Sequence, residues 1–155
     1  MTAEAVAFHE AGHVWAYHRH GLPIRYATLR PRTPSTSGVT ALWRPRRVDA
    51  FVTGWIASAG PIAEAVYVMR LHPTADGCEW GDYLTCAALA GGHDDLQRST
   101  GLLDAEDVVT AIREEIEHDW SAVAVLAEVL QVRKTVGGRE AFDRLADSLR
   151  TRQTS

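Results

Sequence analysis

Residues 9–13 read His-Glu-Ala-Gly-His inside a segment that carries the start and stop signals of a helix. A threonine suited to cap a helix precedes the segment, and glycine and proline follow its last turn, so residues 2–20 are predicted to be helical. Positions i and i+4 of a helix lie on one face. His9 and His13 are therefore expected to point in the same direction, about one turn apart.

Two imidazoles in this arrangement are typical ligands of one metal ion. The spacing suits Zn²⁺, which in catalytic sites takes three protein ligands and keeps one position for water. Glu10 is then expected near the open side of the ion, where it can take a proton from a bound water whose pKa falls to about 7. The pattern predicts one zinc ion per chain, with His9 and His13 as ligands and Glu10 as the catalytic base. The alternative is an ordinary helix whose histidines lie on the surface or bind only protein groups.

The third ligand must come from another part of the chain. Glu64 lies on a second predicted helix, and Asp95 follows two glycines at a predicted helix start. His93 and Asp94 are neighbours of Asp95 and rival ligands. The residues alone leave this choice open. His18 and His20, at the end of the first helix, are expected to be exposed to solvent.

The rest of the chain predicts a fold that is mainly α (α+β), a helical domain with one small β-ribbon. Residues 24–30 and 39–43 have the composition of strands and flank a loop rich in proline, serine and threonine. Helical spacing returns over residues 48–70, where Pro61 is expected to kink the helix or to start another. Later helices are expected over residues 82–90, 94–100, 104–134 and 139–150, with Gly137 and Gly138 ending the third of these.

Composition limits the class of protein. The chain has 155 residues, of which 46% are hydrophobic and 23% charged, as in a single globular domain. We expect that domain over residues 1–150 and a polar tail over residues 151–155. The net charge of -4 argues against nucleic acid as a partner. Without a signal-peptide pattern or a run of 18 apolar residues, the expected location is the cytoplasm, away from the membrane.

Three segments occur in the same order as motifs of one known family. The segment HEAGHV at residues 9–14 is similar to that family's HEAGHA, and AGPIAEA at residues 59–65 to its GGRxAEE helix. GGHDDLQRST at residues 91–100 is similar to GASNDLxxAT. The chain thus resembles the peptidase domain of the FtsH-type proteins, which are membrane-anchored AAA+ zinc proteases. A weaker similarity relates residues 30–32 and 38–40 to the family's PRGxxxGxT strand.

The resemblance implies specific roles for residues of this chain. The third zinc ligand of the family falls on Asp95, which makes Glu64 a residue that orients a ligand histidine rather than a ligand itself. His93 replaces a serine of the family's third motif. The family's substrate-binding strand falls on five consecutive residues, Gly38, Val39, Thr40, Ala41 and Leu42, which would pair with an extended peptide.

The activity implied is that of a zinc-dependent endopeptidase, which hydrolyses peptide bonds of unfolded or extended protein segments. The family forms rings, so a homo-oligomer is one expected assembly. The ATPase pattern G-x-x-x-x-G-K-[ST] does not occur in these 155 residues, so ATP-driven unfolding would need a separate ATPase. Two alternatives stay open, namely a regulatory metallopeptidase that cuts one specific partner and a non-catalytic zinc-binding interaction module.

Overall fold

A computed structural model of the chain describes residues 2–30, 38–42, 48–72, 79–90, 97–99 and 101–153. These residues form a mainly helical α+β fold, which confirms the predicted fold class. The helices are α1 (Ala3–Arg19), α2 (Ala50–Leu71), α3 (Trp80–Ala90), α4 (Glu106–His118), α5 (Trp120–Arg133) and α6 (Gly138–Gln153). The strands are β1 (Ile24–Thr28), β2 (Val39–Leu42) and β3 (Thr135–Gly137), and a 3₁₀ turn covers Leu102–Asp104.

Helix α1 lies at the centre of the fold. It begins where the sequence predicts, because the Thr2 hydroxyl accepts a hydrogen bond from the Ala5 amide at 3.2 Å. Every residue from Ala5 to Ala16 is buried. Helix α2 packs on one side of α1 and helix α5 on another. The alternative in which the histidines of α1 lie on the surface is therefore wrong.

Small residues bring α1 and α2 into close contact. A Cβ atom on Gly12 would lie 2.5 Å from the Ala59 carbonyl oxygen and 2.6 Å from the Ala63 Cβ. Helix α2 is continuous through Pro61, so the alternative of a second helix starting there is wrong. Burial of this helix on α1 outweighs the hydrogen bond that a proline removes. The helix begins at Ala50 because the carboxylate of Asp49 accepts bonds from the first amides of the helix.

The sheet is antiparallel, with the strand order β2-β1-β3. Residues opposite one another on the three strands form rows, and one row consists of Thr40, Ala27 and Val136. Ala27 and Val136 are fully buried, so this row faces the helices. The third strand extends the predicted β-ribbon. It occurs because Lys134, in a left-handed conformation at φ 63°, ends α5 three residues before the glycine pair expected to do so.

The single long helix predicted over residues 104–134 is wrong. The structure has a 3₁₀ turn followed by α4 and α5, which are separated at Asp119. The carboxylate of Asp119 accepts a hydrogen bond from the buried indole N–H of Trp15 at 3.0 Å and contacts the His118 Nδ1 atom at 2.8 Å. We attribute the break to this side chain, which turns inward to satisfy a buried donor on α1.

The last helix, α6, extends to Gln153 and so includes part of the polar tail predicted over residues 151–155. Most of the helix predicted over residues 94–100 lies outside the described residues.

Helix α2 has the length and hydropathy of a membrane span, but 72% of its most apolar window is buried inside this fold, which is compatible with a soluble protein.

Candidate metal centre

His9, Glu10 and His13 all lie within the buried part of α1. Their exposed fractions are 3%, 4% and 6% respectively. The two imidazole rings are adjacent, with centroids 4.8 Å apart and planes at 77°. The i, i+4 spacing therefore places both rings side by side, as the sequence predicts.

Helix α2 fixes the orientation of His9 through Glu64. The His9 Nδ1 atom lies 2.9 Å from the Glu64 Oε2 atom, and both side chains are buried. A carboxylate accepts hydrogen bonds, so Nδ1 carries the proton. In the neutral ring the lone pair then lies on Nε2, the nitrogen through which this tautomer would bind a metal.

A backbone carbonyl fixes the orientation of His13 in the same way. The His13 Nδ1 atom lies 2.9 Å from the Ile56 carbonyl oxygen, which can only accept. This ring also carries its proton on Nδ1 and its lone pair on Nε2 when neutral. A histidine that binds a metal through one ring nitrogen commonly donates the N–H of the other to a carboxylate or a backbone carbonyl. Here His9 donates to a carboxylate and His13 to a backbone carbonyl. Both histidines therefore make the hydrogen bonds expected of Zn²⁺ ligands, and they would supply two of the three that such a site needs.

The backbone of α2 lies directly against the ring of His13. A Cβ atom on Gly60 would lie 2.5 Å from Cε1 and 2.9 Å from Cδ2 of that ring, and closer still to Nε2. Real Cβ contacts of this length do not occur without movement of one partner. Glycine at position 60 therefore allows the ring to occupy its present place.

Strand β2 contacts the carboxylate of Glu10. The Thr40 hydroxyl donates a hydrogen bond to the Glu10 Oε2 atom at 2.7 Å. A Cβ atom on Gly38 would lie 2.5 Å from Oε1, so the strand backbone passes close to the second oxygen. The carboxylate is thus held between α1 and the first residues of β2.

The predicted site residues have different outcomes. The structure brings His9, His13 and Glu64 together, and it places Glu10 against Gly38 and Thr40 of the segment Gly38, Val39, Thr40, Ala41 and Leu42. Asp95, His93 and Asp94 lie outside the described residues. Within the described parts of the chain no group of three histidine, cysteine or acidic side chains is arranged to hold a metal. The predicted third ligand stays a prediction.

Sequence reasoning missed three contacts of the site. No sequence pattern indicates that the Ile56 carbonyl binds His13, since every residue carries a backbone carbonyl. The contact between the Thr40 hydroxyl and Glu10 could have been predicted from the register of the strands, which decides the face to which residue 40 points. Gly60 lies in the segment that resembles a family motif, but its contact with His13 depends on the distance between α1 and α2.

The expectation that His18 and His20 are solvent-exposed is wrong, since both are partly buried. The ring of His18 packs edge-on against Phe142 at 5.1 Å, and that of His20 against Trp55 at 5.0 Å. Burial lowers the pKa of both side chains, and the charge of Arg19 lowers the pKa of His20 further. The Nε2 atom of His20 is buried and has no hydrogen-bond partner among the described residues.

Comparisons with known proteins add no relative from which a role could be transferred. No protein-family model matches the chain, and no curated protein matches it.

Proposed function

We propose that this chain is a zinc-dependent endopeptidase that hydrolyses unfolded or extended protein segments. One observation carries the proposal. Two adjacent buried histidines on α1 both hold their proton on Nδ1, where Glu64 and the Ile56 carbonyl accept it. In this tautomer each ring would bind a metal through Nε2, so the pair would supply two of the three ligands of a hydrolytic zinc site, with Glu10 next to His9 in the chain as its base.

The residues that would hold the ion are His9 and His13 through Nε2. Asp95 is the third ligand implied by the resemblance to the FtsH-type peptidases. Glu64 would orient His9 and raise the basicity of its ring, which increases metal affinity. When bound, Zn²⁺ acts as a Lewis acid and lowers the pKa of water to about 7.

Glu10 is the proposed general base and acid. Its carboxylate accepts the proton of the attacking water and returns it to the leaving amine. The side chain is 4% exposed, so bulk water competes little for it. The 2.7 Å bond from Thr40 holds the carboxylate in one orientation, and such fixed geometry reduces the entropy lost on reaching the transition state.

Strand β2 would bind the substrate. It is one of the two outer strands of the sheet among the described residues, with β1 on one side. An extended peptide can add to such a strand through backbone hydrogen bonds, which are independent of sequence. Glu10 lies against the same strand, so a peptide bound there would pass close to the base. A folded protein offers few extended segments, which favours unfolded substrates.

The test is hydrolysis of a loosely folded protein such as casein by the zinc-loaded chain, compared with Glu10→Gln at equal zinc content. We expect turnover by the parent and its loss in the variant, with about one zinc ion retained per chain. Glu114→Gln is the matched control, because it makes the same chemical change on the exposed face of α4 and should leave turnover unchanged.

Hydrolysis by Glu10→Gln at the rate of the parent would refute the role of Glu10. Absence of turnover in the parent, with zinc bound, would favour the two alternatives. A partner-specific regulatory peptidase would then cut one protein and not casein, whereas a non-catalytic zinc-binding module would cut none.

A further inference from the structure

The hydroxyl of Thr40 joins the strand proposed to bind peptide to the proposed base. Its oxygen lies 2.7 Å from the Glu10 Oε2 atom in a partly buried setting. A hydrogen bond to a charged acceptor at this distance is stronger than a neutral one. On the other oxygen, the backbone at Gly38 leaves no room for a Cβ atom. Thr40 of β2 and Gly38, the residue before that strand, therefore limit the movement of one carboxylate.

The register of the sheet explains why Thr40 faces Glu10. Thr40 lies opposite Ala27, which lies opposite Val136, and the last two are fully buried beneath the helices. Side chains of one row point to the same face, so Thr40 also points toward α1. A slip of one residue would turn the hydroxyl to the other face. Ala27 and Val136 are apolar because they meet the core, whereas Thr40 is polar because it meets Glu10.

Strand β2 is short, and its described pairing is with β1 alone. It has four residues, and its register with β1 is irregular between Ile24 and Tyr26. Outer strands with few hydrogen bonds open more readily than central ones. A peptide that paired with the second edge of β2 would stabilise the strand, and Thr40 would be stabilised with it.

We propose that Thr40 is a positioning residue that couples peptide binding on β2 to the placement of the Glu10 carboxylate. This inference rests on the proposed function, and it concerns how that function is regulated. A peptide long enough to pair with β2 orders the strand, and the Thr40 hydroxyl then holds Glu10 in its working orientation. Binding energy from residues distant from the scissile bond thus increases kcat and not only affinity.

The first experiment separates kcat from KM. Thr40→Val keeps the shape and β propensity of the side chain and removes the hydroxyl, and it should lower kcat by about tenfold or more with little change in KM. Thr40→Ser keeps a hydroxyl and should retain most of the activity. Thr28→Val is the control, since it removes a buried hydroxyl that bonds Lys134 and Thr135 on the opposite face of the sheet. It should lower stability and leave kcat unchanged.

The second experiment uses peptide length. In the parent, kcat for a ten-residue peptide should exceed kcat for a tetrapeptide with the same scissile bond. In Thr40→Val this ratio should fall toward one, because the strand no longer acts on Glu10. A merely structural role of Thr40 would lower both rates equally. An unchanged ratio, or an unchanged kcat in Thr40→Val, would overturn the proposal.

The third experiment needs no turnover. The thermal unfolding midpoints of the parent, Thr40→Val, Glu10→Ala and the double variant form a double-mutant cycle. Loss of the hydroxyl should lower the midpoint clearly in the parent and much less when Glu10 is absent. Additive effects would overturn the proposal even if the parent is an active peptidase. If the parent cuts no peptide, the proposed function fails, and the cycle alone shows whether Thr40 holds Glu10.

Discussion

Glycine at position 60 leaves room for the ring of His13, a ligand in the proposed metal centre, and its replacement by alanine tests this directly. The added methyl would lie 2.5 Å from the Cε1 atom of His13, about 1 Å short of an ordinary carbon contact of roughly 3.5 Å. Two responses are open to the protein. The ring of His13 can turn away, or α2 can move away from α1.

Each response has a calculable cost. Turning the ring breaks the 2.9 Å bond to the Ile56 carbonyl, which contributes about 0.5–1.5 kcal/mol. Moving the helices apart has the cost of an overpacked core, about 1–3 kcal/mol. Alanine restores about 1 kcal/mol of helix propensity. We therefore expect Gly60→Ala to lower the free energy of unfolding by at most about 2 kcal/mol, which is the larger cost less the gain in helix propensity. It should lower zinc affinity by about 10–100-fold, because one ligand loses its orientation.

The assay is zinc affinity by competition with a chromophoric chelator, together with chemical unfolding of the metal-free protein. Gly81→Ala is the matched control, since a Cβ atom there meets nothing within 4 Å on helix α3. It should leave zinc affinity unchanged. Zinc affinity in Gly60→Ala equal to that of the parent would refute the assignment of His13 as a ligand held by α2.

Three further predictions concern buried polar groups. Glu64→Ala removes the acceptor of the His9 Nδ1 proton and should lower zinc affinity by about 10–100-fold in the same chelator assay, with Glu64→Gln between the two. Asp119→Ala leaves the buried indole N–H of Trp15 without its acceptor and should cost about 1–3 kcal/mol in chemical unfolding; a loss below this range would show that water replaces the carboxylate. Because the pKa of His20 is lowered in the folded state, the unfolded chain binds its proton more readily, so stability is lost as the pH falls below about 6.5. His20→Gln should reduce this loss in thermal unfolding between pH 7 and pH 5, and identical pH dependence in both proteins would contradict the assignment.

Helix α1 could be predicted closely from the sequence. Its capping threonine, its terminal glycine and the i, i+4 spacing of His9 and His13 are local signals, and local signals decide where a helix begins and which residues share a face. The role of Glu64 could only be proposed, because it depends on a contact between residues 55 positions apart.

The errors of prediction arise where tertiary contacts outweigh local signals. Asp119 divides a helical pattern because a tryptophan on another helix needs an acceptor. Pro61 fails to start a new helix because its neighbours are buried against α1. The strand β3 has three residues, too few for a pattern to stand out, and it forms because β1 has an open edge beside it.

The burial of α1 has a consequence for the exchange of backbone amides with solvent. His9 and His13, which would bind the ion, lie within a stretch that is buried from Ala5 to Ala16. They are therefore not in a segment that unfolds locally. Amide hydrogens of this stretch should exchange only when the whole domain opens, and they should report its global stability. Zinc would then raise the free energy of opening measured from their exchange. The increase is about 2.7 kcal/mol when the free ion is at one hundred times its dissociation constant. Occupancy of the metal centre can thus be measured from hydrogen exchange in the core, without any substrate.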